Sequence, residues 1–166
     1  MLTHQFLLDL VHYDLETGIF TRLQAAGSKQ FVGERADKPA SRDKNCYRIV
    51  RLHGQTYRAH ALAWFYVKGV WAKPFVDHID CCRGNNRFSN LRQSNSALNR
   101  ANSKVSKNNL SGYKGVHYNS ATGRYSASIT VAGKTINLGT RKHAKSAHKL
   151  YCKAADDFFG EFARHA

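Results

Sequence analysis

The hydrophobic pattern of residues 1–69 predicts a β-rich region between two helices. Apolar residues at positions 6, 7, 10 and 11 share one face of a short opening helix. The segment DLETGIFTRL turns at its Thr-Gly pair into a strand, and YRIVRLHGQTYRAH is typical of a hairpin that turns at its His-Gly pair. One side of that hairpin is predicted to carry Tyr47, Ile49 and Leu52. The apolar segment ALAWFYVKG has helical spacing and ends at Gly69.

After Gly69 the pattern predicts a strand, a loop, a second strand and a helix. Pro74 interrupts helical structure, and residues 75–80 are short and strand-like. A polar loop leads into the second short strand, NLRQ. The segment SNSALNRANSK then has the pattern of a helix, with Ser94 as its N-cap. These elements complete a first predicted domain over residues 1–102.

The remainder of the chain predicts a linker and a second, smaller domain. Residues 103–110 lie in a small, polar and basic stretch, NSKVSKNNLS, which is typical of a linker. In residues 111–166, three strand patterns, YKGVHYN, RYSASITVAG and KTINLGT, precede an amphipathic helix that ends at Gly160. The predicted apolar stripe of this helix is Ala144, Ala147, Tyr151, Ala154 (or Ala155) and Phe158. The fold class is therefore α+β, with a three-stranded antiparallel sheet packed on one helix at the C-terminus.

The charge distribution indicates a polyanionic partner. The 166 residues include 26 Lys or Arg and 11 Asp or Glu, a formal net charge of +15. From Cys81 to Ala155 the chain has no acidic residue and 14 basic ones. A long single-sign stretch predicts a surface that binds nucleic-acid phosphates, with affinity that falls as salt rises. A generally basic protein of the ribosomal type is the alternative.

The sequence predicts a cytoplasmic protein without a membrane partner. The segment MLTHQFLLDLVHYD lacks the basic start, long apolar run and cleavage site of a signal peptide. No apolar stretch approaches the roughly 20 residues that span a bilayer. The four cysteines form no CxxC pair, so we expect free thiols in a reducing compartment.

The segment FVDHIDCCRGNNRFSNLR contains the residues with the clearest chemical potential. Hydrolysis of a phosphodiester needs a base for the attacking water and a positive charge for the phosphate oxygens. His78 can serve as the base, because an unperturbed histidine is mostly neutral at pH 7. Asp77 and an asparagine oxygen can bind a hard cation such as Mg²⁺. A zinc site with Cys81 and Cys82, or a polar loop without chemistry, are the alternatives that these residues leave open.

A longer stretch, AHALAWFYVKGVW…FVDHIDCCRGNNRFSNLRQSNSALNR, resembles the HNH homing endonucleases of phages and mobile introns. Family members carry a His-rich helix start, then VDHINGN, DNR, SNLR and a later helical asparagine. Asn90 follows His78 by twelve residues and Asn99 lies nine further on, which matches the family spacing. The resemblance implies a ββα-metal (His-Me finger) nuclease core at about residues 75–102. It also implies His78 as general base, Asp77 and Asn99 as ligands of one divalent metal (Mg²⁺ or Mn²⁺), and Asn90 as the residue that steadies the loop and His78.

The implied activity is a metal-dependent DNA endonuclease that leaves 5′-phosphate and 3′-hydroxyl ends. Its partner would be double-stranded DNA, its oligomeric state a monomer or weak dimer, and its location the cytoplasm of a host cell if a phage encodes it. The chain departs from the family after DHI, where Asp80 and two cysteines replace Asn-Gly. The predicted DNA contacts of this domain are His60, Arg83, Arg87, Arg92 and Arg100. A structural role for His60 is an equal alternative.

The C-terminal sequence SGYKGVHYN…GRYSASITVAGKTINLGT…AHKLYCKAADDFFGEFA resembles the plant APETALA-two/ethylene-response-factor DNA-binding domain. The family landmarks YRGV, GKW-A-I, LG and AA-YD-AA-G occur as YKGV, GRYSASI, LG and LYCKAADDFFG, with Tyr125 in place of tryptophan. The resemblance implies a sheet that lies in the major groove. The candidate contacts are Lys114, Arg124, Ser126, Ser128 and Thr135, for which simple solvation is the alternative.

Two other functions compete with a nuclease. The first is a non-catalytic, sequence-specific DNA-binding regulator with a degenerate nuclease core. The complete set of Asp77, His78, Asn90 and Asn99 argues against it. The second is a basic RNA-binding protein, which the lack of an RNP-like aromatic pattern disfavours.

Overall fold

The computed structural model describes residues 2–25, 30–41 and 46–165. The chain forms two compact units, Met1–Asn95 and Ser96–Ala166. The predicted domain boundary after residue 102 stays a prediction, and in the structure the helix Ser96–Asn102 groups with the second unit. The Lys114 side chain provides a physical reason, because its ammonium group donates to the carbonyl oxygens of Ala101 and Ser103 at the end of that helix.

The described residues of the first unit form two α-helices and three small antiparallel sheets, β1–β2, β3–β4–β5 and β6–β7. Its elements are α1 (His4–Leu10), β1 (Val11–Tyr13), β2 (Phe20–Arg22), β3 (Asp37–Pro39), β4 (Arg48–Leu52), β5 (Gln55–Arg58), α2 (Ala59–Lys68), β6 (Phe75–His78) and β7 (Leu91–Ser94). The order β6, loop, β7 follows the sequence prediction. The strands β1 and β3 were not predicted, because three residues are too few for a periodic signal, whereas the equally short β2 was indicated by the Thr-Gly turn before it.

One hydrophobic core joins the helices and sheets of the first unit. Its largest fully buried side chains are Tyr13, Phe20, Leu7, Leu62, Val11 and Val50. Helix α1 begins where Thr3 Oγ1 accepts the Phe6 N–H at 3.2 Å, and α2 ends as predicted at Gly69, which has a positive φ.

Two details of the predicted apolar faces are wrong. Phe6 is exposed, and Val11 belongs to a strand and not to the opening helix. In β4 the buried residues are Val50 and Leu52, whereas Ile49 is only partly buried. Alternation with a period of two places residues 50 and 52 together and residue 49 on the opposite face.

A buried carboxylate on β3 connects two sheets of the first unit, because its partners include Phe20 on β2 and Arg48 on β4. The Asp37 side chain is inaccessible to solvent and forms ion pairs with Arg35 and Arg48. It also accepts the Phe20 N–H at 3.1 Å. Burial alone would raise the pKa of Asp37, but the hydrogen bonds from Arg35, Arg48 and Phe20 outweigh burial and hold the pKa below its usual value. The ionised carboxylate therefore stabilises the fold.

We expect Asp37→Asn to lower the free energy of unfolding by about 3 kcal/mol near neutral pH, because it leaves Arg48 without its counterion. Since the pKa is lowered on folding, the stabilisation is complete above about pH 4 and is lost as the pH falls further. Urea unfolding at several pH values measures both effects. The difference between wild type and variant should narrow in acid, and exposed Asp9→Asn is the matched control. A difference that stays constant down to pH 2 would contradict this role.

The second unit is a three-stranded antiparallel sheet packed on one long helix. Its elements are α3 (Ser96–Asn102), β8 (Val116–Asn119), β9 (Arg124–Val131), β10 (Lys134–Arg141) and α4 (Ala144–Phe159), with strand order β10-β9-β8. The buried residues between sheet and helix include Val116, Ala127, Ile129, Ala147, Tyr151 and Ala155. The predicted stripe is wrong at one end, because Phe158 is half exposed and Phe159 packs on the core. Within the described ranges, no helix has the length and apolar character needed to cross a membrane.

Candidate active site

The candidate site lies on the β6–β7 hairpin of the first unit. Asp77 is opposite Arg92 in the register, and His78, the last residue of β6, is opposite Leu91. The Asp77 carboxylate and the Arg92 guanidinium form an ion pair with an N–O distance of 3.4 Å. Arg92 was predicted to contact DNA, and in the structure its guanidinium points at Asp77, the predicted metal ligand.

The His78 imidazole is buried and held in one orientation. Only 4% of the residue is exposed, and its Nε2 lies 3.0 Å from Asn86 Oδ1. An amide oxygen can only accept, so with the Asn86 amide in this orientation Nε2 carries the proton and the lone pair of the neutral ring is on Nδ1. Burial lowers the pKa of His78 below its usual value, although the Asn86 hydrogen bond and the Asp80 and Asp77 charges oppose this. A neutral imidazole with a lone pair on Nδ1 can accept a proton from water.

Asn86, the partner of His78, was not predicted from sequence. It is 1% exposed, and its backbone carbonyl accepts the Tyr13 hydroxyl at 2.6 Å. Its Nδ2 has no hydrogen-bond partner among the described residues, so the fixed side-chain contact is the one to His78. The available signal was the NNR at residues 85–87, which corresponds to the DNR of the family pattern.

The turn between β1 and β2 supports the same segment. Gly18 has φ +71°, and a Cβ there would lie 2.3 Å from the backbone carbon of Asn86. The Phe88 N–H donates to the Leu15 carbonyl at 3.0 Å. Such close backbone approach needs a residue without a side chain at position 18. The N-terminal hairpin therefore braces the loop that orients His78.

The loop of residues 79–90 is organised by Asp80 and Asn90. Asn90 Nδ2 donates to Asp80 Oδ1 at 3.0 Å and to the Asn85 carbonyl at 2.8 Å, and its Oδ1 accepts the Asp80 N–H at 3.1 Å. Asp80 also accepts from Asn85 Nδ2 and the Cys82 N–H, both at 2.7 Å. These bonds make Asp80 a loop residue and give Asn90 a loop-organising position. The side chain that orients His78 is Asn86.

His60 packs against His78 and does not project into solvent. Its ring lies 4.9 Å from that of His78, edge to face, and 5.1 Å from that of Tyr47. Burial, with the nearby His78 and Arg58, lowers the pKa of His60 to about 3. His60 is therefore uncharged at neutral pH, and this geometry favours the structural alternative over a charged phosphate contact.

Two arginine side chains stack on the Tyr47 ring next to His60 and His78. The guanidinium groups of Arg58 and Arg83 lie 4.7 and 4.9 Å from the centre of the Tyr47 ring. Stacking on an aromatic ring orients a guanidinium and leaves its N–H groups for phosphate. Arg87 is exposed in the same loop, whereas Arg58 was not among the predicted contacts. Arg100 is exposed on α3 in the second unit.

In the second unit, four of the five predicted contacts share the sheet face that points away from α4. The β9 residues Ala127 and Ile129 are buried, so the alternate positions of β9 face outward. The pairs of this outer face are all polar: Asn119 with Arg124, His117 with Ser126, Asn137 with Ser128, Thr135 with Thr130 and Thr140 with Ser126. Lys114 differs, because it precedes β8 and its ammonium caps α3.

The donors that the sequence assigned to a metal are of the right chemical type. Asp77 offers a carboxylate, and Asn99 offers an amide oxygen that is buried without a hydrogen-bond partner in the described chain. Both are hard oxygen donors suited to Mg²⁺ or Mn²⁺. Asn99 belongs to the second unit. Among residues 2–25, 30–41 and 46–165, no three His, Cys, Asp or Glu form a group that could hold a metal ion. The side chains of Cys46, Cys81, Cys82 and Cys152 are thiols outside disulfide bonds.

A comparison with known protein families matches the segment that contains these residues. Residues 57–101 match a family model described as HNH endonuclease. The matched stretch, a little over a quarter of the chain, includes Asp77, His78, Asn90 and Asn99. It supports an HNH nuclease, and such a domain implies a DNA substrate and a divalent metal. No curated protein and no solved structure matched the chain.

Proposed function

We propose that the protein is a metal-dependent DNA endonuclease of the homing type, which hydrolyses phosphodiester bonds at a preferred site. The observation that carries the proposal is the orientation of His78. A buried neutral imidazole with Nε2 tied to Asn86 lies next to Asp77, inside the segment that is similar to HNH endonucleases. We assign the activity to residues 1–102, with a ββα-metal core at about residues 75–102.

In the proposed reaction, His78 is the general base. Its Nδ1 takes a proton from the attacking water, while Asn86 holds the ring through Nε2. The Arg58 and Arg83 guanidinium groups bind phosphate oxygens near the reacting centre. Asp77 and Asn99 are the proposed metal ligands, and the assignment of Asn99 rests on its place in the sequence motif. The divalent metal, when bound, stabilises negative charge on the phosphate and leaving oxygens. The products carry 5′-phosphate and 3′-hydroxyl ends.

Supercoiled plasmid provides the direct test of this function. Incubation with the full chain and Mg²⁺ or Mn²⁺ should convert supercoiled plasmid to nicked circles, since one chain carries one set of site residues. Linear product would indicate a dimer or two successive nicks. A plasmid containing a candidate target that stays intact with every divalent metal tested, although it is bound, would support the DNA-binding regulator instead.

We propose further that residues 111–166 read double-stranded DNA with the outer face of their sheet. The supporting observation is that Arg124, Ser126, Ser128 and Thr135 occupy outward positions on a face without acidic or apolar residues. A β-sheet of this width can enter the major groove. The absence of Asp and Glu from Cys81 to Ala155 favours the approach of phosphates.

We expect Arg124→Ala to weaken DNA binding and to reduce the slope of log affinity against log salt by about 1, as for one lost phosphate contact. Fluorescence anisotropy with a labelled duplex in metal-free buffer measures both quantities. The matched control is Lys145→Ala on α4, a helix that packs on the opposite face of the sheet. Equal slopes for Arg124→Ala and wild type would show that this face does not contact DNA phosphates.

A further inference from the structure

A cavity in the first unit, separate from the His78 site, is lined by two arginine side chains that have no role in the proposed reaction. Its volume is about 530 Å³, and the turns that follow β2 and β4 form part of its wall. Its polar lining consists of Arg22, Arg51, His53, Gln24 and Gln30. No Asp or Glu is among the described residues that line it. A basic wall without acidic partners is the chemistry of an anion site.

The main evidence for an anion site is the burial of Arg22 without a carboxylate partner among the described residues. Arg22 is 7% exposed, and both its backbone groups are used in 2.9 Å bonds to the Glu34 carbonyl and the Gly33 N–H. These bonds fix the strand from which its side chain reaches the cavity wall. Within the described part of the chain, no carboxylate lies within 4.0 Å of its guanidinium. Arginine is almost never buried unless it is paired, because desolvating a charge costs several kcal/mol.

We propose that this cavity binds a phosphate group, with Arg22 as its principal ligand. The planar guanidinium donates two parallel hydrogen bonds to phosphate oxygens. Arg51 and His53, on the wall formed by the end of β4 and its turn, add a second cation and further donors. The Gln30 amide can donate to the remaining oxygens, and so can the second N–H of Gln24 Nε2, whose first N–H donates to the Asp9 carbonyl at 3.1 Å. The phosphate comes either from the backbone of bound nucleic acid or from a small phosphate ester.

Thermal unfolding of the full chain in metal-free buffer tests the site without any cleavage. Inorganic phosphate should raise the melting temperature of wild type above its value in chloride at equal ionic strength, because a ligand of the native state stabilises it. Arg22→Met, whose side chain suits burial near Leu10 and Leu52, should lose this rise. Arg51→Gln changes an exposed residue and should reduce the rise without loss of folding. Lys145→Met controls for the removal of one positive charge.

Calorimetric titration with inorganic phosphate and with a short duplex distinguishes the two sources. Arg22→Met should bind phosphate about tenfold or more weakly, as expected for loss of a charged hydrogen-bond pair. If the variant also binds the duplex with a lower salt slope, the ligand is a backbone phosphate. If duplex binding is unchanged, the ligand is a small phosphate ester. Equal responses of wild type and Arg22→Met to both probes would overturn the proposal. None of these outcomes depends on nuclease activity, so failure here is separable from failure of the proposed function.

Discussion

His78→Ala should lower the rate of plasmid nicking by about 10²- to 10⁴-fold, the usual contribution of a general base. The variant lacks the Nδ1 lone pair that receives the proton of the attacking water in the proposed mechanism. His78→Gln, which keeps most of the buried volume and a polar group for Asn86, should be similarly impaired. Single-turnover nicking with Mg²⁺ provides the measurement.

The control for His78 is a histidine outside the site. His12 is exposed on β1, and His12→Ala should nick at the wild-type rate. DNA affinity of His78→Ala in metal-free buffer should match wild type, because a buried neutral side chain adds no phosphate contact. If His78→Ala nicked as fast as wild type, another group would have to accept the proton, and the proposed mechanism would be wrong.

Gly18→Ala should lower stability by about 2–4 kcal/mol and the nicking rate of the folded protein by about 10²-fold. The methyl group would lie 2.3 Å from the Asn86 backbone carbon and 2.4 Å from the Arg87 nitrogen, so the turn and the loop must separate. That separation moves Asn86, whose side chain orients His78. Urea unfolding and nicking at a temperature below the transition measure the two effects independently.

Gly33→Ala is the matched control for Gly18→Ala. Gly33 also has a positive φ, +85°, but an added Cβ would have nothing within 4 Å. In this variant the free energy of unfolding should fall by only about 1–2 kcal/mol, the cost of placing alanine in the left-handed backbone region, and the nicking rate should be normal. Asn86→Ala should reproduce the loss of nicking without backbone strain, because it removes the bond to His78 Nε2. Wild-type nicking by folded Gly18→Ala would show that the brace does not control His78.

The elements with long periodic patterns were predictable from sequence. Helix α2 and its end at Gly69, the β4–β5 hairpin and the strand–strand–strand–helix order of the second unit follow from local spacing and turn residues. The errors arose where spacing allows two answers. In α4, residues 151, 154, 155, 158 and 159 all lie near one face, and the sheet selects Phe159 over Phe158.

The support of the candidate site was not predictable, because it depends on long-range contacts. The bond from Tyr13 to Asn86 joins residues 73 positions apart, and the close approach of Gly18 to Asn86 has no local signature. Sequence spacing could select Asp77, His78, Asn90 and Asn99 as chemically capable residues. It could not assign the orientation of His78 to Asn86, nor reveal that His60 is packed and uncharged.

The brace from the N-terminal hairpin limits how this catalytic motif can be transplanted. The stretch that is similar to HNH endonucleases begins at residue 57, whereas Tyr13, Leu15 and Gly18 lie well before it. A fusion protein that carried only residues 57–101 would contain every proposed catalytic residue and lose the hairpin that supports Asn86. A fragment of this chain that is expected to keep nuclease activity must therefore begin before Val11. Fusion proteins whose junction lies between this hairpin and residue 57 should be inactive even when they fold.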